Sequence, residues 1–242
     1  MPLFNIIKLD ECSSTNTILK ENKALYPSYT VLRCVKQTKG KGRWGREWFS
    51  QTEKGLYFSI MVNDISATNI RVFPLLITLS LLQFFEELKL SPEYQWPNDI
   101  YIKGKKIAGI LSEGINKGDK TSLIIGVGIN INHNKDDFPE ELKKKAISLK
   151  ILKNKDFRIE NIFEKILVLM EENIIKQEKI AELIMKIKKY SRFKKKENII
   201  IKTREGEFEG IFLGYNPDSS ILIEIDGKEK DIYEGEVLKI RI

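Results

Sequence analysis

Short runs rich in β-branched residues open the chain, and residues 4–12 (FNIIKLDEC) and 30–37 (TVLRCVKQ) are expected to form strands. Between them SSTNTILKENKALY reads as a helix, with Ser, Thr and Asn at its start as caps. Strand character resumes at 54–63 (KGLYFSIMVN), which leaves a loop of about 15 residues between two strands, a length that usually carries function or is disordered. Residues 68–90 are apolar enough for a helix inside the core, with Pro74 near its first turns. Residues 93–115 have the form of a hairpin around Lys103-Gly104, and 121–132 (TSLIIGVGININ) form another buried strand. Helical spacing runs over 159–189, apolar at Ile162, Phe163, Ile166, Leu169 and Met170. Past KKKEN at 194–198 the pattern changes to five short strands, broken at Glu205-Gly206, Asn216-Pro217-Asp218 and Asp226-Gly227. Such a run suggests a small SH3-like barrel. The expected division is 1–195 and 196–242.

Composition narrows the chemistry. Among 242 residues there are only two cysteines, Cys12 and Cys34, and one histidine, His133, so disulfide frameworks, zinc sites and histidine-dependent triads have little support. His133 reads as a surface residue after a strand. The lysine runs 143–145 and 194–196 read as solvated. The balance of 41 basic against 34 acidic side chains gives +7, which suits nucleic acid, an anionic membrane surface or a phosphorylated substrate without choosing among them. No apolar run reaches about 18 residues and no signal peptide opens the chain, so the protein reads as soluble and cytoplasmic.

Three clusters carry the candidate chemistry. KGKGRWGREW at 39–48 holds three glycines, four cations and two tryptophans. Its glycines let backbone amides turn inward while Lys39, Lys41, Arg43 and Arg46 surround an anion, and Trp44 and Trp48 offer faces for a purine. Anion binding, a nucleic-acid arm and a solvated loop all remain open on this stretch alone. In the second cluster, WPND at 96–99 followed by Lys106, a two-residue turn pairs Tyr101 with Lys106 and Ile100 with Ile107. That register leaves Asp99 and Lys106 near neighbours on one face, for phosphate or metal handling or as a plain ion pair. The third, Gly126, Gly128 and Asn130, suggests close backbone approach to a ligand, a weak signal by itself. Ser14-Thr15-Asn16 reads first as a helix cap that also leaves polar groups for a small amide-like ligand.

Together, STN at 14–16, Q-x-x-G-x-G-R-x-G-R-x-W at 37–48, WPND with K-x-x-G-I-L at 106–111, and G-x-G-I-N at 126–130 resemble biotin protein ligases in order and spacing over essentially the whole chain. The resemblance implies an α+β fold: a mixed β-sheet with packed helices, related to class II aminoacyl-tRNA synthetases, plus the C-terminal SH3-like β-barrel. It implies activation of biotin by ATP and Mg²⁺ to biotinyl-5′-AMP, then transfer to a lysine of a biotin carboxyl carrier protein. On this resemblance Ser14, Thr15, Asn16 and Gln37 hold the biotin ring. Lys41, Gly42 and Arg43 close over carboxylate and phosphate. Lys106 bridges biotin carboxylate and α-phosphate, Arg46 joins the phosphate cations, and Trp48 and Asn130 meet the adenine. Asn98 and Asp99 serve metal and phosphates, and Asp99 also orients the acceptor amine.

Lys41 stands where such ligases usually carry arginine, which keeps charge but loses a planar fork. Altered retention of the adenylate is the expected effect. The chain starts almost at the catalytic domain, without room for a winged helix-turn-helix, so no DNA binding is expected. Relatives dimerise through sheet edges, which admits a homodimer that no residue here demands. A lipoate-protein ligase shares the fold and chemistry but usually shows consecutive glycines before a histidine, absent here. An RNA-binding module would leave Asn98, Asp99 and Lys106 without a purpose.

Overall fold

The computed structural model describes residues 3–66, 69–117, 120–176 and 178–241. Among these, seven strands form one mixed sheet: β1 (Asn5–Cys12), β2 (Thr30–Gln37), β3 (Gly55–Ile65), β4 (Glu93–Gln95), β5 (Asp99–Ile102), β6 (Lys105–Lys117) and β7 (Lys120–Asn130), ordered β1-β2-β3-β7-β6-β5-β4. Strands β1 and β2 run parallel, because the helix α1 (Thr15–Glu21) carries the chain back over the sheet between them, and the other described pairings are antiparallel.

The two faces of this sheet differ by simple alternation. On β3, Leu56, Phe58, Ile60 and Val62 join Leu123, Ile125, Val127 and Ile129 of β7 in the main core. Against this face pack α2 (Val72–Glu87) and α5 (Ile159–Ile175), with α6 (Ile180–Ile187) against α2 and two short helices, α3 (Glu140–Lys143) and α4 (Leu149–Lys153), earlier in the chain. Helix α2 buries ten of its residues because the sheet, α5 and α6 all pack against it. Of its expected span, Thr68 lies outside the described residues. The expected helix over 159–189 is two helices and a short 3-10 turn at Lys188–Tyr190, with Gln177 likewise outside the described residues.

The opposite face holds a small cluster of Leu19, Leu32, Met61 and Ile124 under α1, and beside it a floor of small residues. Ser59 pairs with Gly126, Gly126 with Leu111, and Gly109 with Gly128 directly across the ladder. Three glycines and a serine therefore hollow out this side of the sheet.

The last five strands, β8 (Glu197–Lys202), β9 (Glu207–Tyr215), β10 (Ile221–Ile225), β11 (Lys228–Ile232) and β12 (Glu236–Arg241), form a separate antiparallel sheet in the order β11-β10-β9-β8-β12. Its inward residues Ile199, Ile201, Phe212, Ile221 and Ile223 are continuous with the main core. Polar ties cross the junction too: the Trp96 indole donates to the Ser219 carbonyl at 2.9 Å and the Gln95 amide to the Val237 carbonyl at 3.1 Å. No helix among the described residues is long and apolar enough to cross a membrane.

Candidate active site

A cleft of about 540 Å³ opens over the glycine-floored face, and it is lined by every residue that the resemblance places there: Ser14, Thr15, Asn16, Gln37, Lys41, Gly42, Arg43, Arg46, Trp48, Asn98, Asp99, Lys106 and Asn130; Lys39, expected among the cations around an anion, does not line it. At one end α1 starts at Ser14, whose side chain makes no capping bond, contrary to the cap expected of it. The Thr15 amide donates to Gln37 Oε1 at 2.9 Å, and the Gln37 amide donates onward to Ser50 Oγ at 3.2 Å. This end is polar, buried and already wired together.

The basic loop is a small hairpin. Gly42 N–H donates to the Arg46 carbonyl at 2.7 Å and Trp48 N–H to the Gly40 carbonyl at 2.9 Å. Its tip turns through Trp44 (φ 60°) and Gly45 (φ 74°), both in the left-handed region. Trp44 does not enter the cleft; its ring is 42% exposed and meets Arg43 and Lys202. Trp48 does, and its indole lies on the floor beside Lys106 Nζ, 5.3 Å from the ring centroid.

The glycines of β7 line the cleft and also admit side chains of the protein itself. A Cβ at Gly128 would stand 2.6 Å from Trp48 Nε1, and one at Gly126 would overlap Asn16 Oδ1. Gly128→Ala should therefore push the indole off the floor. The expected result is a change in tryptophan emission and a rise of about tenfold in the KM for the ligand that packs there, with binding at the Thr15 end little changed.

The hairpin of β5 and β6 turns at Lys103 (φ 51°) and Gly104 (φ 71°), as two-residue turns require. Tyr101 pairs with Lys106 as expected, but Ile100 pairs with Ala108, not Ile107, because a bulge intervenes. The bulge leaves Lys106 and Asp99 on one side, with Nζ 2.7 Å from Oδ2. The backbone of Lys106 is pinned as well, since its N–H donates to the Lys145 carbonyl at 2.8 Å and its own carbonyl accepts from Ile147 at 3.0 Å. The Asn130 amide lies 3.5 Å from that same carbonyl. Burial and the Asp99 charge raise the pKa of neighbouring Tyr101 to about 12, so it stays neutral.

Opposite stands a wall absent from any local motif. Arg43 donates to the Gly235 carbonyl at 2.7 Å and faces Asn98 Oδ1 at 3.3 Å, while Arg46 forms a two-pronged ion pair with Glu236 at the start of β12. Burial works against ionisation of Glu236, but Arg46 and then Arg43 outweigh it and hold its pKa below the usual carboxylate value. Sequence spacing gives no signal for Glu236, which lies 190 residues from Arg46. The same is true of Phe49, Phe138 and Leu142, which close the side near Asn130. Behind them His133 is fully buried, stacked on Phe138 with centroids 4.9 Å apart, so its expected surface position is wrong.

A polar, buried set of side chains around Thr15, a lysine paired with Asp99 and the cations Arg43 and Arg46 in one cleft make a site for joining a carboxylate to a phosphate. The chain belongs to the biotin/lipoate A/B protein ligase family, whose model matches residues 9–130. It is 32% identical over 242 residues to the Bacillus spizizenii protein called bifunctional ligase/repressor BirA, covering 96% of this chain and 73% of that one. It is 31% identical over 125 residues to the Mycobacterium tuberculosis biotin–[acetyl-CoA-carboxylase] ligase, covering 49% and 44% of the two chains. Among solved structures, a biotin protein ligase from Aquifex aeolicus in complex with biotin and ATP superposes with a TM-score of 0.82 at 33% identity, covering 98% of both chains.

Proposed function

We propose that the protein is an ATP-dependent ligase that activates biotin as biotinyl-5′-AMP and transfers the biotinyl group to a lysine of a biotin carboxyl carrier domain. The observation that carries this reading is Lys106 Nζ, held 2.7 Å from Asp99 Oδ2 in the cleft that Thr15 and Arg43 also line. Biotin's carboxylate is ionised at neutral pH and needs no base. One of its oxygens attacks the α-phosphorus, the bond to the bridging oxygen of pyrophosphate breaks, and pyrophosphate leaves with the electron pair. Lys106, Arg43 and Arg46 oppose the negative charge that gathers in this step. Ser14, Thr15, Asn16, Gln37, Lys41 and Gly42 hold the biotin end. Trp48, Asn98 and Asn130 meet the nucleotide.

Mg²⁺ would neutralise phosphate charge when bound. Among the described residues no three metal-binding side chains converge. Asp99 nevertheless keeps Oδ1 buried without a hydrogen-bond partner, which fits a cation held by one carboxylate, substrate phosphates and water.

In transfer, the acceptor amine attacks the acyl carbon, the bond to the phosphate oxygen breaks and AMP departs. Asp99 orients that amine and takes up its proton. Asp99→Asn should slow transfer from preformed adenylate at least about tenfold, measured in single turnover. Full-rate transfer would remove this role. We take residues 1–195 as the catalytic domain and 196–242 as an SH3-like domain that completes its wall. The need for ATP suits a cytoplasmic enzyme.

Incubation with ATP, Mg²⁺, labelled biotin and a carrier domain tests the whole reading, and label on the acceptor lysine is the expected result. Pyrophosphate exchange that depends on lipoate and not on biotin would overturn it.

A further inference from the structure

Tyr101 lines the cleft, yet no step of the reaction described above uses it. On β5 it follows Asp99 by two residues and pairs with Lys106 across the hairpin, so all three side chains leave the sheet on one face. Its hydroxyl stands close enough to Asp99, Arg192, Glu236 and Arg46 for their charges to act on one another. These groups belong to the charged wall and not to the polar set around Thr15.

An arginine from outside the cleft holds the ring. The Arg192 guanidinium lies 4.2 Å from the centre of the Tyr101 ring, donates to Gln95 Oε1 and reaches Glu93 at 3.9 Å. Its backbone N–H donates to the Tyr94 carbonyl at 2.9 Å. Strand β4 therefore fixes Arg192 by backbone and side chain together, just before the C-terminal sheet begins. Arg192 itself does not line the cleft.

The phenol brings a donor with no anion attached. Lys106 is paired with Asp99 and Arg46 with Glu236, so both of these cations meet a phosphate with a carboxylate already beside them. Arg192 has only N–H groups and cannot take the phenolic proton. Asp99 does not take it either, since Oδ1 has no hydrogen-bond partner and Oδ2 pairs with Lys106. No other acceptor among the described residues binds it. With its pKa raised to about 12, the phenol keeps this proton at neutral pH. Phosphate oxygens only accept, so they suit such a donor. A ring that served only to pack under an arginine would need no hydroxyl.

Displacement at phosphorus is in line, so pyrophosphate departs on the side away from the attacking carboxylate. We infer that Tyr101 is a binding residue for pyrophosphate, its hydroxyl donating to the departing group, and that Arg192 is a positioning residue that keeps the ring in place. The inference rests on the ligase reading above and adds to it a side chain that receives the leaving group.

Pyrophosphorolysis of preformed biotinyl-5′-AMP in the presence of Mg²⁺, followed as ATP formed at rising pyrophosphate, gives the KM for pyrophosphate. Tyr101→Phe removes one oxygen and should raise that KM about tenfold. The calorimetric Kd for biotin and single-turnover transfer from preformed adenylate, neither of which involves pyrophosphate, should stay within about twofold of wild type. Arg192→Ala should raise the same KM about fivefold alone but less than about twofold on top of Tyr101→Phe, because the hydroxyl that it positions is then gone. An unchanged KM in Tyr101→Phe would overturn the inference. So would an equal loss across pyrophosphate, biotin and transfer, which marks plain structural support. Additive effects in the double variant would remove the role of Arg192. Should Arg192→Ala lose its fold, Tyr101→Phe keeps the ring and still decides the matter. A wild-type protein that makes no ATP from biotinyl-5′-AMP and pyrophosphate would overturn the ligase reading instead.

Discussion

Lys106→Met should reduce biotin-dependent ATP–pyrophosphate exchange about a thousandfold. Methionine keeps the length and apolar stem of the side chain and removes only the ammonium, which sits 2.7 Å from Asp99 and over the Trp48 ring. Charge gathers on the α-phosphate oxygens during attack, and a fixed cation in a partly buried site opposes it without waiting for solvent to reorganise. Biotin affinity should fall far less than the rate. Lys106→Arg should recover only part of the loss, because a planar fork on the same bulged backbone cannot put its charge where the Nζ stands. Exchange within tenfold of wild type in the methionine variant would remove Lys106 from the centre of the mechanism.

The second large effect concerns stability. Burial drives the His133 pKa from 6.5 down to about 4, against the pull of Asp137 and with some help from Lys54. Its ring sits among Phe49 and Phe138 with both nitrogens lacking hydrogen-bond partners among the described residues. The unfolded chain takes up a proton near pH 6.5 and the folded one only near 4, so between these values the unfolded state binds more protons. Stability from this group is therefore complete above about 6.5 and is lost as pH falls toward 4, by about 3 kcal/mol in all. Urea unfolding of wild type and His133→Phe, compared pH by pH, should show that difference over this window. Parallel curves would contradict it.

His133 also shows where reading a sequence stops. A lone histidine after a strand looks solvent-exposed from its neighbours in the chain, and only the arrival of Phe49 and Phe138 from separate loops encloses it. Features written in neighbouring residues were legible: β2 runs over the expected 30–37, the Lys103-Gly104 turn has its two positive φ angles, and the five C-terminal strands break where glycine and proline interrupt them. The clusters at 14–16, 37–48, 96–106 and 126–130 do line one cleft, because each follows or ends a strand of the same sheet face. What those residues touch was less legible. Close approach at the glycines of β7 was legible, but not that Asn16 and Trp48 are protein groups that make it. The bulge at Ile107 breaks an alternation that spacing alone would continue, and Glu236 belongs to no spaced motif.

The wall contributed by Gly235 and Glu236 also bears on timing during synthesis. Arg43 emerges from the ribosome early, yet the carbonyl that holds it lies 192 residues further on. Chains grow from the N-terminus and fold as they emerge, so the sheet and its glycine floor can form while the cleft still lacks one side. A nascent chain halted before residue 235 has the contacts around Thr15, but neither Gly235 nor Glu236 to steady Arg43 and Arg46. The wall that steadies Arg43 and Arg46 therefore arrives only with β12, after the sheet and helices beside it have been made.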